Sequence, residues 1–228
     1  MDALALLQGL RFVDSFFPSG GYAFSSGLEA AVQGGAVKNS DELAVYVEDL
    51  LRGGMGRREA VAVARAWDAQ ARGSWREAIG VDVELDSMKT GRESRQASRQ
   101  MGRQVMKIAA GQFERKAILK SYLGAMEREE APGHLPVCLG LALGTCGWKC
   151  EETVAAYLYQ TATGFTAAAL KLLPIGQREG QRLLDGWMPS IAELSGQARP
   201  ETTMTSWSPV QDIFAMKHSR LESRLFRS

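Results

Sequence analysis

Apolar residues recur at intervals of three and four along most of the chain, the spacing that lines one face of an α-helix. Runs that alternate apolar and polar residues, as half-buried strands do, are scarce. Leu43, Val47 and Leu50 show the helical pattern, and Asn39 precedes them with Glu42 in the positions of a capping box. The pattern predicts an all-α fold, a single-domain bundle of about ten helices spanning residues 1–228.

Two stretches in the second half are almost wholly apolar and are predicted to be central helices. They are residues 137–146 and 153–173, and Gly140 and Gly144 lie one turn apart in the first. Glycines at that spacing let a neighbouring helix approach closely. The uncharged run 153–170 is shorter than a membrane-spanning helix and contains polar residues, so we interpret it as buried and expect no membrane partner.

An aromatic and glycine-rich loop, residues 16–29, separates two helical patterns near the start of the chain. Pro18 ends the incoming helix, and Gly20 with Gly21 permits a sharp turn. Ser26 and Glu29 have the S-x-x-E spacing of a capping box, which predicts the start of the next helix. From these residues alone, the loop either covers a hydrophobic core or forms a contact surface.

The C-terminus carries unusually complete helix signals. Ser208, Pro209 and Gln211 predict an N-cap, a proline at the first helical position and a capping-box partner. Arginines at 220, 224 and 227 are expected in the last turn, where positive charge suits the helix dipole. Residues 209–228 therefore form a predicted docking tail, which either packs on its own domain or becomes ordered on a partner.

The net charge of +1 hides an uneven distribution of charge. Residues 89–120 hold nine basic and two acidic side chains, and Arg92, Arg95, Arg99, Arg103 and Lys107 follow one side of a predicted helix. Three interpretations stay open for this stripe. It is a solvated helix face, a docking face for an acidic protein surface, or a grip on nucleic-acid phosphates.

The sequence offers little for catalysis. It contains no P-loop, no G-x-S-x-G elbow and no H-E-x-x-H motif, and only two histidines are present to act as general bases. His134, Cys138, Cys146 and Cys150 are candidate metal ligands, with Cys146 and Cys150 spaced to share a helix face. Buried core cysteines are the alternative. Three cysteines and an acidic N-terminus without a basic cluster favour a reducing cytoplasm over secretion.

Five motifs, in order along the chain, resemble those of one protein family. They read PSGGYAFSSGLE at 18–29, RQASRQMGR at 95–103, HLPV at 134–137, LPIGQ at 173–177, and HSRL at 218–221 with RLFRS at 224–228. Five collinear motifs that extend over nearly the whole chain are far more specific than any one of them. By these residues the sequence resembles the urease accessory protein UreF family.

The resemblance implies an all-helical, non-enzymatic scaffold that works as a cytoplasmic homodimer. Proteins of this family bind a second accessory protein, UreD (also called UreH), and the pair recruits the GTPase UreG. The assembly docks on apo-urease and delivers nickel in a GTP-dependent step, so nucleotide and the main metal ligands come from the partners. Two alternatives remain, a nickel carrier that uses His134 and the cysteines, and a nucleic-acid-binding protein that uses the stripe at residues 92–107.

The resemblance also implies where partners bind. We expect Tyr22 and Phe24 to lie on or support a contact surface, and Arg224 to make a polar contact with a partner; together they are predicted to form one docking region. Pairing with acidic groups inside the fold is an equal alternative for the arginines of the stripe. The predicted partner-binding residues are Tyr22, Phe24, Arg95, Arg99, Arg103, His218, Arg220, Arg224 and Phe226.

Overall fold

A computed structural model describes residues 2–199 and 203–227 of the 228-residue chain. Met1, residues 200–202 and Ser228, the last residue of the predicted tail, lie outside the described residues. Within the described part the chain forms eleven α-helices and no β-strand, which confirms the predicted all-α class. The helices are α1 (Ala3–Val13), α2 (Leu28–Gln33), α3 (Ser40–Leu50), α4 (Glu59–Ala71), α5 (Trp75–Met88), α6 (Arg92–Gln112), α7 (Ala117–Glu127), α8 (Leu135–Thr145), α9 (Cys150–Leu172), α10 (Gln177–Gln197) and α11 (Pro209–Lys217).

The centre of the bundle is α8, as its apolar sequence predicts. Nine of its eleven residues are buried, and it packs against α4, α6 and α9. A Cβ atom on Gly140 would lie 2.6 Å from the carbonyl oxygen of Val63 and 2.8 Å from the Cβ of Ala66. The prediction that Gly140 permits a close helix approach is therefore confirmed, and the neighbouring helix is α4.

The other predicted central helix, α9, is the longest in the bundle, with 23 residues. It packs against α10, α4 and α8, and it buries Val154, Leu158 and Phe165 among ten residues on its inner side. Across residues 2–199 and 203–227, no helix combines the length and the apolar character that a bilayer crossing requires.

The helix caps show where local sequence signals succeed and where they fail. Asn39 begins α3 as predicted, because its side-chain oxygen accepts a hydrogen bond of 2.9 Å from the Glu42 N–H. Ser26 instead has a positive φ of 53°, and it is Ser25 whose hydroxyl accepts the Glu29 N–H, at 3.4 Å. The predicted capping box of Ser26 and Glu29 is wrong, because the Glu29 carboxylate is engaged by the C-terminus of the chain.

The predicted terminal helix begins at Pro209 but differs in its cap and its length. Ser208 makes no capping hydrogen bond, and the Gln211 side chain donates instead to the Tyr46 carbonyl, at 3.2 Å. The helix ends at Lys217 and a 3₁₀ turn, His218–Arg220, follows. Arg224 and Arg227 therefore lie beyond the helix and not in its last turn. The predictions of a Ser208–Gln211 capping box and of a longer helix are wrong, because tertiary contacts replace the local ones.

Candidate partner-binding site

The loop of residues 16–29 is shaped by glycines and by the approach of α11. Gly20 and Gly27 have φ values of 80° and 89°, which residues with a Cβ atom rarely adopt. A Cβ atom on Gly27 would lie 2.7 Å from the backbone nitrogen of Ala215 in α11. Between the two glycines, the 3₁₀ turn Gly21–Ala23 leaves Tyr22 exposed and Phe24 half-buried. The loop therefore packs against the C-terminal part of the chain.

Glu29 is the main anchor between this loop and the C-terminal segment, residues 209–227. Its side chain is fully buried, and its carboxylate accepts hydrogen bonds from the backbone N–H groups of Leu225 and Phe226, at 2.7 and 3.2 Å. His218 Nε2 lies 2.9 Å from the same carboxylate. Burial alone raises the pKa of Glu29, but these three hydrogen-bonding groups outweigh it and hold the pKa below its ordinary value.

A second carboxylate, Glu93 of α6, binds the same segment. Its two oxygens lie 2.8 Å from His218 Nδ1 and 2.9 Å from Arg224 Nη1. His218 is fully buried, whereas Arg224 keeps about 40% of its side chain exposed. The predicted contact residue Arg224 therefore already has an acidic partner inside the protein, although its guanidinium can still be reached from solvent.

The structure brings the loop and the tail together through a backbone hydrogen bond. The Arg227 N–H donates to the Ala23 carbonyl at 2.7 Å, one residue from Tyr22 and three from Arg224. Phe226 is buried here, with Lys171 Nζ 5.1 Å from its ring centroid. Tyr22, Phe24 and Phe226 all line one cavity of about 460 Å³. Three of the predicted partner-binding residues therefore line the same cavity.

The inner wall of this cavity carries a buried cluster of charges. The Glu59 carboxylate is fully buried and bonds Arg58 at 3.1 Å and Lys89 at 2.7 Å. Burial opposes the ionised form of Glu59, but the two cations outweigh it and lower its pKa to about 2. The charges satisfy one another, which is the usual requirement for placing them inside a protein.

The C-terminal segment exposes several large apolar side chains among its polar ones. Trp207, just before the segment, is 80% exposed, and Leu225 is 73% exposed. Together with the exposed residues of α11 they form what we call the apolar outer surface: Trp207, Val210, Ile213, Met216 and Leu225. Large apolar side chains clustered on a surface mark binding sites more often than isolated ones do.

Some arginines of the stripe on α6 make hydrogen bonds within the fold. Arg95 donates to the Lys89 carbonyl, at 3.0 Å from Nε, and Arg99 donates to Asp86 Oδ1, also at 3.0 Å from Nε. Arg103 is half-buried and, within residues 2–199 and 203–227, makes no hydrogen bond or ion pair. Two of the three predicted contact arginines therefore stabilise the junction of α5 and α6, and Arg103 keeps its donors free.

The predicted metal ligands are separated by the fold. Cys146 follows the end of α8 and Cys150 begins α9, so the two do not share a helix face, and both are buried, as in the alternative of core cysteines. Burial raises the pKa of each of these thiols to about 11, which disfavours the thiolate that binds metals. Among the described residues, histidine, cysteine and carboxylate side chains form no group of three suited to a metal ion.

Glu29 and Glu93 are the site residues that the sequence analysis missed. The sequence pattern predicts a local helix cap for Glu29, and it shows Glu93 only as one of two acidic residues in a basic segment. A signal was present in each case. Glu29 interrupts an otherwise apolar run, Leu28 to Val32, and it lies on the buried side of α2. A charge at a buried position usually has a specific partner.

Comparisons with known proteins identify the family of this site. A sequence model described as UreF matches residues 37–187. The chain belongs to the UreF family. The UreF model covers the bundle from just before α3 to the middle of α10, so the loop of residues 16–29 and the C-terminal segment lie outside the matched part.

Full-length UreF relatives extend the match to both ends. "Urease accessory protein UreF" of Haemophilus influenzae strain PittGG is 30% identical over 222 residues, covering 96% of this chain and 94% of the relative. That of Actinobacillus pleuropneumoniae is 28% identical, covering 96% and 97%. That of Paenarthrobacter aurescens strain TC1 is 28% identical and covers 100% of both chains, so its alignment includes the loop and the tail.

Proposed function

We propose that this protein is a non-catalytic scaffold for urease maturation that binds UreD/UreH and recruits the GTPase UreG for GTP-dependent nickel insertion into apo-urease. Membership of the UreF family implies a role in urease maturation and association with other maturation factors. In this proposal the scaffold works as a homodimer in the cytoplasm, and nucleotide and the main metal ligands are supplied by the partners.

The observation that carries the proposal is the apolar outer surface. The C-terminal segment is held on its own domain from the inside by Glu29 and Glu93, while the opposite side of the segment exposes large apolar residues. Tryptophan and arginine are the residue types most enriched among those that dominate binding energy. The segment that follows Trp207 also exposes arginines 220, 224 and 227. This composition supports a protein partner.

A scaffold that assembles several proteins needs more than one contact surface, and α1 offers a second. Its inner side contacts α8 and α9, with the carbonyl of Ala5 accepting a hydrogen bond of 2.9 Å from Trp148. Its outer side exposes Leu4, Leu7 and Leu10, and Phe16 in the following loop is 94% exposed. This second apolar surface supports association with more than one protein.

Co-purification with UreD/UreH and UreG tests the proposal. A chain that lacks residues 209–228 should retain its helical circular dichroism and lose both partners. The double variant V210D/I213D places charges on the apolar outer surface without shortening the chain. We expect it to reduce recovery of UreD/UreH at least tenfold, because burying each unpaired charge in the interface costs more than about 1.4 kcal/mol.

The matched control is V83D on α5. Val83 and Val210 are exposed to 50% and 52%, so V83D introduces one of the two added charges at an equal exposure outside the proposed surface. V83D should recover both partners at the wild-type level. Unchanged recovery of UreD/UreH by V210D/I213D and by the truncated chain would show that the C-terminal segment is not the docking surface.

A further inference from the structure

His218 is the one side chain that both carboxylate anchors share. Its Nε2 lies 2.9 Å from Glu29 and its Nδ1 lies 2.8 Å from Glu93, and the imidazole is fully buried. The charged groups that face it are Glu29 from α2 and Glu93 from α6, with Arg224 on the far side of Glu93. Each ring nitrogen therefore meets a carboxylate oxygen at hydrogen-bond distance.

This arrangement requires two donors on one ring. A neutral imidazole carries a proton on only one nitrogen, and the other nitrogen presents a lone pair. That lone pair would face a carboxylate oxygen with no proton between them. While Glu29 and Glu93 are both ionised, both contacts are favourable only when His218 is the imidazolium, in which case the two carboxylates are balanced by His218 and Arg224.

The same groups hold the chain end. Glu29 binds the backbone N–H groups of Leu225 and Phe226, and Glu93 binds Arg224. Phe226 is thereby buried beside the loop of residues 16–29. Its neighbour Leu225 is exposed and is one of the residues of the apolar outer surface. A change in either carboxylate contact therefore acts directly on the segment that carries this surface.

We propose that Glu29, His218 and Glu93 form a proton-dependent latch that holds the C-terminal segment in its docking position. With the imidazolium present the latch is closed. When His218 loses a proton as the pH rises, one carboxylate contact becomes repulsive and residues 218–227 loosen. The latch follows from geometry alone, whereas its regulation of partner binding rests on the function proposed above.

One substitution should remove the need for the proton. In E93Q the amide group of the new side chain can donate to Nδ1 of a neutral His218, whose Nε2–H still donates to Glu29, and its carbonyl oxygen can still accept from Arg224. We therefore expect E93Q to keep the latch closed at every pH at which its His218 is neutral. E222Q is the matched control, because Glu222 is an exposed acid in the same segment.

The test measures protonation and docking in the isolated full-length chain. Only two histidines are present, so His218 can be assigned in imidazole ¹H–¹⁵N spectra by its loss in H218Q. Hydrogen-exchange protection of the Leu225 and Phe226 amides, corrected for the intrinsic rate, is followed from about pH 6 to about pH 10 in the same samples.

In the wild type and E222Q, both His218 nitrogens should be protonated at the acidic end of the pH range. Protection of the two amides should fall about tenfold as His218 deprotonates, because a tenfold change corresponds to the free energy of about one charge-assisted hydrogen bond. In E93Q the protection should stay level. The latch would be overturned if His218 were neutral at every pH, or if protection of the Leu225 and Phe226 amides did not change as His218 titrates.

Binding of UreD/UreH at the same pH values separates the latch from the proposed function. Binding that weakens with deprotonation in the wild type but not in E93Q supports both. Loosening of the segment with unchanged binding overturns the regulation and the docking surface while leaving the latch intact. Absence of binding at every pH overturns the proposed function alone.

Discussion

The central helix α8 and the C-terminal segment are held on the protein in different ways. Nine of the eleven residues of α8 are buried and nearly all are apolar, whereas α11 buries only Gln211 of its nine. The position of α8 depends on contact area spread over many side chains. The C-terminal segment buries fewer side chains, among them Phe226, and polar contacts at Glu29 and Glu93 contribute to holding it in place.

The two histidines of the chain illustrate the same contrast. His134, at the start of α8, is fully buried and has one carboxylate partner, Asp86, at 2.8 Å, while its Nδ1 has no hydrogen-bond partner among the described residues. Burial, with Lys89 nearby, lowers the pKa of His134 to about 4, so it is neutral. His218 is equally buried but meets two carboxylates. The two histidines therefore differ in the number of their acidic partners and not in their burial.

The largest expected effect tests the contact area of α8. Leu139→Ala removes a fully buried side chain from α8 and should lower the free energy of unfolding by about 2–5 kcal/mol. Ile213→Ala, at a half-exposed position of α11, should change it by less than about 0.5 kcal/mol. Urea denaturation followed by circular dichroism measures both. Equal losses would remove the distinction between the two regions.

The pH dependence of stability sharpens the comparison of the histidines. Since the pKa of His134 falls from 6.5 to about 4 on folding, the unfolded chain binds its proton more readily. Its contribution is complete above pH 6.5 and is lost as the pH falls towards 4, by about 3 kcal/mol. The difference in unfolding free energy between the wild type and H134Q, measured by urea denaturation at several pH values, should shrink by that amount. A constant difference would mean that His134 is already charged in the folded protein.

The smallest expected effect concerns glycines inside helices. Gly140→Ala would place a methyl group against the α4 backbone and should cost about 1–3 kcal/mol. Gly80→Ala, on exposed α5 with no atom within 4 Å of the added Cβ, should stabilise by about 0.5–1 kcal/mol. Thermal unfolding of the two variants should therefore shift in opposite directions. A shift in the same direction would show that α4 can move away from α8.

The sequence predicted the helical class, the central position of α8 and the close approach at Gly140, because each depends on residues near one another in the chain. The spacing of apolar residues determines which side of a helix is buried, whichever other helices pack against that side. The Asn39 cap succeeded for the same reason, since Asn39 and Glu42 are three residues apart and nothing else competes for the asparagine oxygen.

The failures share one physical cause. The Ser26–Glu29 and Ser208–Gln211 patterns are locally good capping boxes, but Glu29 and Gln211 bind residues more than 160 positions away. For Arg95 and Arg99 pairing inside the fold was one of two open alternatives, and the structure shows them donating to a backbone carbonyl and to Asp86. A polar side chain has several possible partners, and the sequence pattern does not show which of them the fold brings closest.

The loop of residues 16–29, the five motifs and the terminal helix start could be identified from the amino-acid order, and so could the UreF resemblance. Only the tertiary structure placed Glu29 and Glu93 on either side of His218, buried Phe226 and left Val210, Ile213, Met216 and Leu225 exposed. Apolar burial is largely a property of local pattern, whereas the pairing of buried charges depends on distances that arise after the helices have packed.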